Sequence, residues 1–172
     1  LHYGTETYWG GILPHSQRPG RVYREVSQIG AALRAIGSGL DGYVPDADVA
    51  ILYSNDSRWA LEFMPPFHTA DMEPDRTAYA QIFDAFYRGI IDSGSQARIV
   101  HPDQLGTDAA AFAARHPVLV APALYAATDE TLSFLTDYAA AGGHLVVGIR
   151  TGYADEEARA RLAVAPALLA EP

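Results

Sequence analysis

Short apolar runs alternate with amphipathic stretches along most of the chain. Val118 to Ala121 is apolar without alternation, as in a strand covered on both faces. Thr128 then stands where an N-cap belongs, with Asp129 and Glu130 in the first turn, at the positive end of a helix dipole. Leu132, Leu135 and Ala139 share one face of the predicted helix, and Gly142-Gly143 supplies a left-handed stop. Leu145-Val146-Val147 reads as a second fully buried strand. Two such strands joined by one helix are parallel, with a right-handed crossover.

The same logic runs upstream. Val22, Val26, Ile29, Leu33 and Ile36 form the stripe of a helix from about Arg21 to Ile36, stopped by Gly37. Pro19-Gly20 marks a hinge before it. Asp48 to Tyr53 predicts a buried strand, followed by a polar turn, Ser54 to Ser57, and a short helix, Arg58 to Phe63, ended by Pro65-Pro66. Phe67 to Pro74 reads as a loop. Tyr79, Ile82, Phe83, Phe86, Tyr87, Ile90 and Ile91 give a strong helical stripe closed by Gly94. Ala97 to Val100 predicts a strand, and Ala109 to Ala114 and Asp155 to Leu162 predict short helices. Strands and helices alternate, so the predicted fold is a three-layer α/β domain of flavodoxin-like type. Its mainly parallel sheet has about four strands, in the order 2-1-3-4. Leu1 to Pro19 stands apart: it is rich in Gly, Tyr, Trp and His and has no period.

Composition narrows the function. The 172 residues suit one domain, and 49% hydrophobic content supports a core. No apolar run reaches the ~18 residues of a membrane span, and the start has no basic-then-apolar leader. The chain begins at Leu1 without Met and stops at Pro172 without a closing strand, so it reads as a segment of a longer protein. The absence of cysteine excludes disulfides, thiolate metal sites and a Cys nucleophile, and fits a reducing, cytoplasmic compartment. A net charge of −9 argues against nucleic-acid or anionic-membrane partners. All 12 basic residues are Arg, which with the Ala-rich helices suggests a biased genome composition.

Ligands of such sheets bind at the carboxyl ends of the strands. The loops Ser54–Arg58, His101–Gln104, Pro122–Thr128 and Arg150–Tyr153 occupy those ends. Ser54 to Ser57 sits where a flavin phosphate would, but it lacks Gly and carries Asp56. Thr151-Gly152 is a weak phosphate signal of the same kind. Pro122 to Thr128 has the position of a nucleophile elbow without a nucleophile. His101, His116 and His144 flank strands and read as surface or strand-end residues. His2 with Glu6, and His68 with Asp71, are thin metal signals. No cofactor is implied. Trp59 and Phe63, beside Pro65-Pro66, suggest an exposed apolar interface patch or a satellite core cluster.

Longer motifs carry a family resemblance. HYGTETYWGGILPHSQRPGRVYREV, ADVAILYSNDSRWALEFMPP, GIIDSGSQARIVHP and the stretch from His116 through Arg159 resemble the family 42 glycoside hydrolases, bacterial β-galactosidases, over nearly the whole chain. The resemblance implies a retaining hydrolase whose TIM barrel carries two catalytic Glu residues, followed by a flavodoxin-like domain that builds a homotrimer. That domain is similar in fold to class I glutamine amidotransferases without their Cys. Residues 1–19 would then be the tail of the upstream barrel, and 20–172 the linking helix and most of the trimerisation domain, truncated at the C-terminus. Both catalytic carboxylates would lie upstream.

The resemblance also implies site residues. Gly4-Thr5-Glu6-Thr7-Tyr8 matches the family's G-x-E-x-[FY], which assigns Glu6 a hydrogen bond to galactose. Many members carry His three residues later; here Trp9 stands there, with sugar stacking as its expected role. Some members bind zinc through a Cys cluster, which cannot lie in this cysteine-free chain. Trp59 and Phe63 would lie near the trimer seam. The residues alone leave a second reading open: a self-standing flavodoxin-like module that binds a small molecule.

Overall fold

The computed structural model describes residues 11–170, in two compact units, Leu1–Val44 and Pro45–Pro172. The first unit contains helix α1, Arg21–Ile36, which begins after Gly20 and ends at Gly37, whose N–H bonds Leu33 O. Its stripe of Val22, Val26, Ile29, Leu33 and Ile36 forms as the heptad-like spacing predicts, and all of it is exposed. No residue of α1 is buried.

The second unit contains β1 (Val49–Leu52), α2 (Asn55–Phe63), α3 (Ala78–Asp92), β2 (Ala97–Val100), α4 (Ala109–Arg115), β3 (Val118–Ala121), α5 (Asp129–Ala140) and β4 (His144–Val147). The strands lie in the order β2-β1-β3-β4, as predicted, and all pairs are parallel. Register places Ile51 beside Ile99 on one side and Val120 on the other.

Strand pleating sorts the core into two layers. Ala50, Leu52, Val100, Leu119 and Ala121 face a cluster with Leu132, Leu135 and Tyr138 of α5. Val49, Ile51 and Val120 face a cluster with Leu61 of α2 and Tyr79, Ile82 and Phe83 of α3. Burying each such Leu, Ile or Val side chain contributes about 1.5–3 kcal/mol. Aromatic edges lock both layers: Phe112 meets Phe134 edge-on with ring centroids 5.7 Å apart, and Tyr53 meets Phe83 at 5.2 Å.

Three expectations need correction. Ser54–Ser57 is not a free polar turn. Ser54 caps α2 by accepting the Ser57 N–H at 3.1 Å, so the helix starts at Asn55. Asp155–Leu162 is not helical. The Asp155 carboxylate accepts the backbone N–H groups of Glu157 and Arg159 at 3.0 and 2.9 Å and folds the segment into a turn instead. β4 is apolar but not buried: it is an edge strand, and His144 and Val147 are exposed.

That edge borders an open groove. A cavity of about 580 Å³ lies beside α3, lined by Val49, Phe86, Ile90, Val118, Val120 and Val146. α2 and α3 therefore cover their sheet face incompletely.

Candidate functional site

The chain leaves β1 towards β2 over one face and later reaches β3, on the other side of β1. A crevice opens where the connections diverge, at the carboxyl ends of the strands. It has a volume of about 360 Å³ and is lined by loops after β1, β2 and β3.

Each lining element is fixed by side chains that complete backbone bonds. Ser54 is buried; its N–H donates to the Tyr79 hydroxyl at 2.9 Å, and its hydroxyl caps α2. Burial pushes the Tyr79 pKa up to about 12, so this phenol stays neutral. Ser57 is fully buried. Its Oγ donates to Ala126 O at 3.2 Å and accepts the Ala126 N–H at 3.1 Å, tying α2 to the loop after β3. Thr128 caps α5 by accepting the Thr131 N–H at 3.1 Å. His101 accepts the Asp103 N–H, and Gln104 accepts the His101 N–H at 2.9 Å.

The chemistry of this crevice is sparse. The Ser54 and Ser57 hydroxyls hold helix and loop backbone, and among the described residues neither is bonded to a histidine. The elbow after β3 is filled by buried Ala123, Leu124, Tyr125, Ala126 and Ala127. Asp56, Asp103, Glu130 and Glu156 line the opening, a charge pattern that disfavours phosphate. Among the described residues, no cluster of three or more His, Asp or Glu is arranged to hold a metal ion.

The other predicted positions are scattered. His116 is not a surface residue: it is 1% exposed. Its Nδ1 lies 2.8 Å from Ala47 O and so carries the proton, which leaves Nε2 to accept from Arg98 at 3.4 Å. Burial depresses its pKa, with Arg98 and Arg115 adding to the effect. The Thr151 hydroxyl is buried against Ala121 O at 3.3 Å, so it holds the turn. Gly152 has φ 69°, and a Cβ there would stand 2.9 Å from Pro166 O, which explains the glycine by packing. Trp59 and Phe63 do not join a satellite core: they are 57% and 83% exposed. Glu6 and Trp9 lie outside the described residues.

A family model described as the β-galactosidase trimerisation domain matches residues 47–171. The chain belongs to that family. Its second unit is thus a trimerisation domain, an assignment that fits a crevice whose polar groups serve the scaffold. Related proteins include the β-galactosidase Bga of Halorubrum lacusprofundi, 33% identical over 92% of this chain and 20% of that protein. BgaH of Haloferax lucentense, also a β-galactosidase, is 32% identical over 95% of this chain and 22% of that protein.

Solved structures agree. Gan42B, a GH42 β-galactosidase from G. stearothermophilus, was solved as a catalytic mutant. It matches at 29% identity and TM-score 0.64, over 95% of this chain and 22% of that one. The β-galactosidase of the Antarctic haloarchaeon Halorubrum lacusprofundi matches at 31% identity and TM-score 0.61, over 96% and 22%. The trimerisation domain and its preceding helix therefore span about a fifth of these relatives.

Proposed function

We propose that this chain is a segment of a retaining β-galactosidase that cleaves terminal β-D-galactosides, and that its part in that enzyme is assembly of a homotrimer. The supporting observation is the family match across the second unit, in a chain that spans about a fifth of related β-galactosidases. Residues 1–19 are the tail of the catalytic barrel; residues 20–172 are the linking helix and most of the trimerisation domain. Retaining hydrolysis needs two carboxylates about 5–5.5 Å apart. Both lie upstream of Leu1, and the assembled enzyme works in the cytoplasm.

Within this reading Glu6 accepts a galactose hydroxyl, Trp9 stacks on the sugar, and Trp59 and Phe63 lie at the trimer seam. The purified 172-residue chain should then release no chromophore from a nitrophenyl β-galactoside. Background-corrected turnover by the chain alone would overturn the assignment.

The crevice at the strand ends motivates a second reading, a small-molecule binding module. Titration with FMN tests it. Saturable binding below millimolar concentration would favour it over the scaffold role.

A further inference from the structure

We draw no further inference here: the strongest candidate, the apolar groove of about 580 Å³ beside α3, lined by Phe86, Ile90, Val118, Val120 and Val146, is an unpartnered face, and nothing in the structure shows whether a second copy or the rest of the same protein covers it.

Discussion

His116 and Ser57 show how single polar side chains organise the domain interior. His116 satisfies Ala47 O through Nδ1 and receives Arg98 at Nε2, so only the neutral ring fits. Its pKa in the fold is held below the ordinary 6.5 by burial first. The unfolded chain therefore binds a proton in a window where the folded one does not. Stability should be complete above about pH 6.5 and decline as pH falls, by at most about 1.4 kcal/mol per pH unit. Urea midpoints at pH 7.5 and 5.5, with His116→Gln for comparison, check this: the part of the decline due to His116 should vanish in the variant. Ser57 bonds both backbone groups of Ala126. Ser57→Ala leaves a buried donor and acceptor orphaned and should cost about 2–4 kcal/mol in urea unfolding. Neither role was legible in the sequence. His116 looks like a strand-end residue and Ser57 like part of a polar turn, because their partners are 69 residues away.

At the scale of elements, legibility followed the locality of the cause. The α5 boundaries were readable because Thr128, Asp129 and the Gly142-Gly143 stop act within one turn of the backbone they fix. The sheet order was readable because short apolar runs separated by helices leave few topologies. The exposure of β4 was not, because an apolar run does not reveal whether its strand has one neighbour or two. The Asp155 segment was misread because its helical composition competes with a side chain that captures two backbone N–H groups. Glycines after α5 carry a sharper prediction. A Cβ on Gly148 would stand 1.9 Å from Pro122 O, a backbone atom that cannot yield. At Gly143 it would meet the Tyr138 ring at 2.3 Å, and that ring is held by its hydroxyl bond to His116 O at 2.8 Å. Gly148→Ala should therefore destabilise by at least about 3 kcal/mol, into the range of severe packing or strain defects. Gly142→Ala meets no neighbour and strains only its φ of 94°, so it should cost about 1 kcal/mol more than a neutral change. Parallel thermal melts of the two variants check this: Gly148→Ala should melt well below Gly142→Ala.

For the whole molecule, the proposed reading assigns scaffold and chemistry to different parts of the protein. The second unit has the strand-end crevice in which α/β folds place ligands, yet its polar groups complete caps and pin loops. The absence of a nucleophile after β3 was visible in the sequence. That Trp59 and Phe63 are exposed rather than core was not, because helical spacing alone does not say what a face packs against. This division separates two losses that are often confused in oligomeric enzymes. A change at the trimer contact should alter sedimentation, whereas a change at Glu6 should alter turnover without altering sedimentation. Glu6→Gln keeps the shape and removes the charge that strengthens a hydrogen bond to a sugar hydroxyl, a bond worth about 1.5–3 kcal/mol. Gln keeps the accepting oxygen, so only the about 1–1.5 kcal/mol that the charge adds is lost; in the enzyme carrying this segment, kcat/KM for a nitrophenyl β-galactoside should fall roughly 5–10-fold, at about 1.4 kcal/mol per factor of ten, while the sedimentation coefficient stays that of the wild type. Unchanged kcat/KM in a well-folded Glu6→Gln enzyme would remove Glu6 from the sugar site and leave the trimer assignment standing.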